Sequence, residues 1–503
     1  MESFVPPQVH AAVMDSIEFI YSLEKYVAPT VILVPPIIKE QLTVLSEATG
    51  FDTDTLSFLL GLMLCYPLGM VMAALPYGKI KHLFSFLLGV FLLQFTIGVE
   101  WIHQLITSLV AYVMFLVLPR GTTRWAVPVF LMLYMSGAHL HRQFTNYLGY
   151  DMDFTSNQMV ITMKLYMLAY NLYDGHLIKE GKPDRAAKKC AKYAVEDLPP
   201  LIEFLGYTFC FSTALAGPAF EFTTYAAACD GSLFYDKDGN LKGKIPNRFW
   251  PSLWPFLKSL MNVGAFVVGS GMFPLLDPAD PQNNTPVVIS SEFLVRPFWY
   301  RAAYIWAGLV FVRQKYYFAW TNAEGASNIW YAGFEGFADS GEALGWDNTS
   351  NIDILGFETA PSIRILSAVW NKKTANWLSR YVYIRSGGSL IATYGLSAFW
   401  HGFYPGYYMF FLTIPLLTVC ERVGRKKLSS RFNSSGEKWT PWGIVCIIAT
   451  SLSANYSVIP FALLAYEWSF EAWGSLYYYG HILALLFYLV VQYLVPSPKT
   501  KEA

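Results

Sequence analysis

From Gly387 to Cys420 the chain reads GGSLIATYGLSAFWHGFYPGYYMFFLTIPLLTVC, without one Asp, Glu, Lys or Arg. A run this long and this apolar has few homes. Its side chains need a large core or a bilayer, and inside a bilayer the backbone must bond to itself as helix. The rest of the chain decides between the two. Of 503 residues, 54% are hydrophobic, 17% aromatic and 14% charged, against about 25% charged in soluble domains. With a mean hydropathy of +0.34, an all-α polytopic membrane protein is expected. A formal net charge of zero gives no footprint for nucleic acid. Cys65, Cys190, Cys210, Cys229, Cys420 and Cys446 are scattered without a CxxC pair, so neither a zinc site nor a disulfide framework is expected. The start, MESFVPPQVHAAVMDSIEF, lacks a basic region before an apolar core and does not read as a cleaved signal peptide.

Along the chain, Ser16 to Val34 has the pattern of an amphipathic helix at a membrane surface. Spans are expected near Leu56–Leu75, Leu83–Val99, Gln104–Pro119, Trp125–Gly137, Val160–Tyr173, Leu201–Leu215, Trp250–Leu275, Phe298–Val312, Trp442–Ala465 and Ala472–Val495. Several are short for a bilayer and fit a locally thinned one. Residues 321–385 are too polar for simple spans and too aromatic for a linker. They read as re-entrant or interfacial helices around a cavity. Basic loops at Lys179–Lys192 and Arg422–Lys438 are expected in the cytosol. The loop holding the Asn283-Asn284-Thr285 sequon is expected on the lumenal side. Two spans after the second basic loop return the tail to the cytosol. There Lys499 and Lys501 sit fifth and third from the end, the spacing of a dilysine retrieval signal for the endoplasmic reticulum. Residues 1–50 are thus expected as an N-terminal cap, 51–495 as one membrane domain and 496–503 as a cytosolic tail. No internal repeat is visible, which disfavours a transporter built from paired halves.

His401 is the one ionisable side chain near the middle of the apolar run. An imidazole there is costly without partners, and it can exchange a proton near neutral pH. Gly402 and Gly406 clear side chains from beside it. A core histidine bonded to a carbonyl and a catalytic base both fit. Thirty residues earlier stands Asn371, whose amide can orient a hydroxyl or donate to a developing oxyanion, or can simply start a helix. His82, His103, His139, His141 and His176 lie at span edges without diiron-like spacing, and His481 reads as structural. His10 and Asp15 spell a His-x4-Asp that lacks any companion motif.

Together, Trp370-Asn371-x-x-Thr374-x-x-Trp377-Leu378 and Trp400-His401-Gly402-x-x-x-Gly406-Tyr407 resemble the membrane-bound O-acyltransferase (MBOAT) family, and within it the lysophospholipid acyltransferases. Supporting stretches are Asn171–Gly175, Glu203–Pro218, Lys244–Pro246, Glu324–Ala326, Trp346-Asp347 and Tyr477–His481. Departures are a short spacer between Arg380 and Tyr394, and Trp473 in place of a tyrosine. The resemblance implies the MBOAT fold, with about 11 transmembrane helices plus re-entrant or interfacial helices around an intramembrane chamber. It implies His401 and Asn371 as the catalytic pair. It also implies acyl-CoA as co-substrate, a lysophospholipid as acceptor, and no metal or other cofactor. Trp370, Trp400, Gly402, Phe403, Tyr404 and Tyr407 are candidates to line the substrate site. Arg380 and Arg385, with Lys372 and Lys373, are candidates for the CoA phosphates or equally for cytosolic anchoring. Another acceptor (diacylglycerol, sterol or protein) and a lipid transporter remain alternatives.

Overall fold

The computed structural model describes residues 36–49, 51–149, 152–277, 285–428 and 439–496, with isolated positions 11, 15 and 22. The expected amphipathic helix, the sequon's two asparagines and the dilysine signal lie outside the described residues. The described chain is helical, and backbone pairing of the β type is limited to isolated bridges such as Tyr235 with Leu241.

The helices used below are α1 (Pro36–Thr49), α2 (Thr53–Ala74), α3 (Lys79–Ile97), α4 (Ile102–Val117), α5 (Arg120–Thr145), α6 (Thr155–Lys179), α7 (Leu201–Thr208) and α8 (Phe249–Met272). There follow α9 (Phe298–Val312), α10 (Gln314–Ile329), α11 (Lys372–Trp377), α12 (Leu390–His401), α13 (Pro405–Leu428), α14 (Pro441–Leu463), α15 (Tyr466–Ser475) and α16 (Tyr479–Leu489). By length and composition, Thr53–Ala74, Lys79–Val117 and Pro441–Leu463 can cross a membrane, and Tyr466–Ser475 with Tyr479–Leu494 forms a further candidate bent by 69°. The described residues are all-helical, and the protein is a membrane protein.

Helix ends buried in an apolar medium leave carbonyls that need donors. Lysines supply them. Lys81 Nζ donates to the Met72 carbonyl near the end of α2, at 2.8 Å. Lys164, fully buried in α6, donates to the Tyr207 and Thr208 carbonyls at the end of α7, at 3.1 and 3.3 Å. The expected span Leu201–Leu215 is broken at this point: α7 stops at Thr208 and a separate turn covers Phe211–Thr213. Close packing completes the arrangement. A Cβ at Gly89 of α3 would fall 1.7 Å from the Phe209 carbonyl, so only glycine admits the chain there.

One helix begins ahead of the stretch 321–385 expected to hold re-entrant or interfacial helices and runs into it. Gln314–Ile329 is continuous and buried, packed along α8, although it carries Asn322, Glu324 and Asn328. Its polar groups are absorbed internally: Asn328 Nδ2 donates to the Pro251 carbonyl at 2.7 Å. The break before it is held by Arg313, whose guanidinium meets Glu358 twice at 2.8 Å and Asn455 at 2.8 Å. The final expected span, Ala472–Val495, is instead two helices. Tyr477 and Tyr478 at the bend adopt φ of 54° and 50°. Trp473 stacks on Tyr456 at 5.5 Å and donates to its carbonyl at 3.0 Å, and His481 Nδ1 lies 2.7 Å from the Tyr456 hydroxyl.

Candidate active site

His401 is the last residue of α12. The helix starts at Ser389, whose hydroxyl accepts from the Ala392 N–H at 3.2 Å, and stops because Gly402 takes φ 115°. That conformation is open to glycine and strained for other residues. Pro405 then opens α13 at the position where its missing N–H costs nothing. The histidine is thereby fixed at a helix end with its ring among Trp400, Tyr407, Phe411 and Phe461, at centroid distances of 4.7, 5.7, 5.1 and 5.3 Å. Its Nδ1 lies 2.7 Å from the Ser397 carbonyl. A carbonyl only accepts, so in the neutral ring Nδ1 carries the proton and Nε2 keeps its lone pair.

Asn371 stands before α11 in the left-handed conformation, φ 44° and ψ 52°. Asn tolerates that region better than most side chains, which is a backbone reason for its presence. It occupies the cap position, yet its side chain makes no cap hydrogen bond. Its partner is Asn351, a residue the sequence did not single out. The Lys373 backbone N–H donates to Asn351 Oδ1 at 2.9 Å, which settles which end of that amide is oxygen. Asn351 Nδ2 therefore donates to Asn371 Oδ1, at 3.0 Å. Asn371 spends its oxygen there, and its NH2 is the end that serves another acceptor.

The two elements share one platform. The Trp400 indole N–H donates to the Met159 carbonyl at 3.1 Å, and Thr374 Oγ1 lies 3.5 Å from Met163 Sδ. Met159 and Met163 are one turn apart on α6, about 6 Å. Trp377 bridges the gap, 5.7 Å from Trp400 and 5.4 Å from Tyr166. Between α11 and α12 the chain runs through a π-helical turn, Leu378–Tyr383, and polar groups of α6 pin it. Asn171 Nδ2 donates to Glu221 Oε2 at 2.9 Å, and the Tyr381 hydroxyl lies 2.7 Å from Asn171 Oδ1. Arg380 Nη1 meets Glu221 at 3.0 Å, and Arg385 holds Asp174 through both nitrogens, at 3.0 and 2.6 Å. Gly175 lets the backbone at Val195 approach, since a Cβ would lie 2.1 Å from its carbonyl. The Asn171–Gly175 stretch is therefore the anchor of the segment joining Asn371 to His401.

The other candidates divide. Trp400, Gly402 and Tyr407 gather about His401. Phe403 packs on Phe399 at 5.3 Å. The Tyr404 hydroxyl accepts from the Leu148 N–H at 3.0 Å, which ties down the turn after His401. Trp370 sits in a cage of Trp320, Phe357, Tyr316 and Tyr317, at 5.1, 4.9, 5.9 and 6.0 Å. The Arg385 fork is occupied by Asp174. Arg380 instead borders a small polar cavity with Lys373, Asn348, Asn376, Tyr193 and Glu221. Lys373 sits outside the spanning helices. Burial pulls its ammonium down to about 8, with Asp347 opposing.

The MBOAT, membrane-bound O-acyltransferase family model matches residues 141–462, a stretch that contains both Asn371 and His401. The chain is 31% identical over 417 residues to membrane-bound glycerophospholipid O-acyltransferase 2 of Mus musculus, covering 82% of this chain and 79% of the relative. It is 28% identical over 465 residues to lysophospholipid acyltransferase of Schizosaccharomyces pombe, covering 88% and 87%. With lysophospholipid acyltransferase of Saccharomyces cerevisiae the figures are 29% over 469 residues, 88% and 74%. The expected resemblance holds, and the chain belongs to the membrane-bound O-acyltransferase family and is an acyltransferase.

Proposed function

We propose that this protein is a lysophospholipid O-acyltransferase that moves a fatty acyl group from acyl-CoA to the free hydroxyl of a lysophospholipid, remodelling phospholipids. The observation that carries the chemistry is the His401 tautomer: one N–H fixed on the Ser397 carbonyl, the other nitrogen left basic. The acceptor class is carried by the relatives, whose names specify lysophospholipid and glycerophospholipid acylation.

His401 Nε2 takes the proton of the acceptor hydroxyl as its oxygen attacks the thioester carbonyl. The Asn371 NH2 donates to the carbonyl oxygen as charge gathers there. The new C–O bond forms, the C–S bond breaks and coenzyme A leaves as thiolate, which recovers the proton from the imidazolium. No covalent enzyme intermediate is needed. The aromatic wall of Trp400, Tyr407, Phe411 and Phe461 keeps water from the thioester. Lys373 and Arg380 receive donor phosphates at the polar cavity, whereas both terminal nitrogens of Arg385 are already held by Asp174. Residues 51–495 form the catalytic membrane domain, about 11 spans around an intramembrane chamber. Residues 1–50 cap it, and 496–503 form a cytosolic tail that keeps the enzyme in the endoplasmic reticulum membrane.

The test is acyl transfer from labelled oleoyl-CoA by microsomes carrying the protein, offered a panel of lysophospholipids with diacylglycerol and a sterol alongside. Labelled phospholipid is expected, with the panel ranking the headgroups. Transfer only to diacylglycerol, sterol or a protein would overturn the acceptor, and transfer to none would favour the lipid-transporter alternative.

A further inference from the structure

Two histidines attend the end of α12, and the reaction above uses one. The other is His139 of α5, which lies 261 positions from Trp400 in the chain. Its Nε2 stands 3.2 Å from the Trp400 carbonyl. The carbonyl can only accept, so this nitrogen carries the proton. The contact fills a need of the helix. The last carbonyls of α12 have no partner in the following turn. The Gly402 N–H returns to Phe399 at 3.2 Å, and His139 serves Trp400.

The ring also meets the next peptide. A Cβ built on Gly402 would lie 3.2 Å from both Cγ and Nδ1 of His139. The imidazole thus packs tightly against the space that a side chain at 402 would take, so Gly402 suits both its φ of 115° and this contact. One donor and one van der Waals contact hold the peptides on either side of His401, at residues 400 and 402. The His401 ring, meanwhile, has a single hydrogen bond among the described contacts, from Nδ1 to Ser397 of its own helix. Its aim therefore depends on the backbone that carries it.

We propose that His139 is a positioning residue for acyl transfer: by holding the Trp400 carbonyl and the Gly402 peptide it sets the direction of His401 Nε2, without touching substrate. The inference rests on the reading of His401 as the base. Small displacements of a reacting group cost large factors in rate, whereas substrate binding to the walls of the site is left alone. His139→Leu keeps the bulk and removes the donor. His139→Gln places an amide N–H near the position of the imidazole Nε2.

The experiment measures kcat, both KM values and detergent-solubilised melting temperature for wild type, His139→Leu, His139→Gln and His401→Ala. In His139→Leu, kcat is expected to fall about tenfold or more with both KM values within about twofold. His139→Gln is expected to recover most of the loss. His139→Leu at the wild-type kcat overturns the inference. So does His139→Gln as impaired as His139→Leu while both melt like wild type. His401→Ala separates the levels. If it is inactive while His139→Leu is normal, only the positioning role falls; if it is fully active, the base falls and the positioning role with it.

Discussion

The two halves of the candidate site are built in opposite ways. Around Asn371 the neighbours are polar and interlocked: Asn351 binds its oxygen, the Lys373 N–H orients Asn351, and Lys372 pairs with Asp347 at 2.5 Å. Around His401 they are four aromatic rings and one carbonyl. A neutral amide that must donate in one direction needs hydrogen bonds to choose that direction. A base that must take a proton without admitting water needs a dry wall and one tautomer-fixing acceptor. The contrast assigns fixed orientation to one half and dryness to the other, and each can be disturbed separately.

The largest effect is expected where the polar wiring joins the halves. Asp174 and Arg385 are buried, with side-chain exposures of 0% and 7%. Asp174→Ala strands the guanidinium, and stability is expected to fall by about 3–5 kcal/mol. Thermal unfolding in detergent checks this, and an unchanged midpoint would show that the pair does not hold the π-helical turn. Next comes the orientation of Asn371. Asn351→Ala frees its amide to rotate and is expected to lower kcat about tenfold, with stability changed by about 1–2 kcal/mol. Rates like wild type would mean that Asn371 needs no outside guide. The dry wall is tested by Phe461→Ser. Acyl-CoA hydrolysis without acceptor, read as free thiol, is expected to rise a few-fold relative to transfer; no rise would move the water barrier elsewhere.

The smallest effect belongs to Lys373. Its ammonium titrates near 8 because burial disfavours the charge. The cation is present below that pH and lost above it, so the KM for acyl-CoA is expected to rise about threefold between pH 7 and 9. Lys373→Arg should flatten the profile, since arginine keeps its charge. A wild-type profile already flat would remove Lys373 from the donor site.

Much of this was legible in the sequence, for physical reasons. Long apolar runs such as Thr53–Ala74 announce themselves, because a bilayer tolerates few alternatives. The Trp-His-Gly block showed glycine beside an imidazole in an apolar run, but not that Gly402 ends a helix there. Gln314–Ile329 was legible only in part: residues from 321 on read as re-entrant or interfacial helix, and one continuous buried helix from 314 shows itself only when the partners of its asparagines in other helices are known. The roles of Arg380 and Arg385 were hidden likewise. Their carboxylates lie 159 and 211 positions away, and charge alone does not distinguish a phosphate ligand from half of a buried pair. Asn351 carries no signal beyond being one more polar residue near Trp346-Asp347. His139 looked like a histidine at a span edge, and its contact with Trp400 exists only once α5 and α12 meet.

The most direct test of the central claim is the steady-state rate of lysophospholipid acylation by His401→Ala and Asn371→Ala, at matched expression and with wild-type melting. The account predicts that His401→Ala loses about a thousandfold in kcat, that Asn371→Ala loses about a hundredfold, and that the acceptor KM is nearly unchanged in both. Turnover by His401→Ala at the wild-type rate would contradict it.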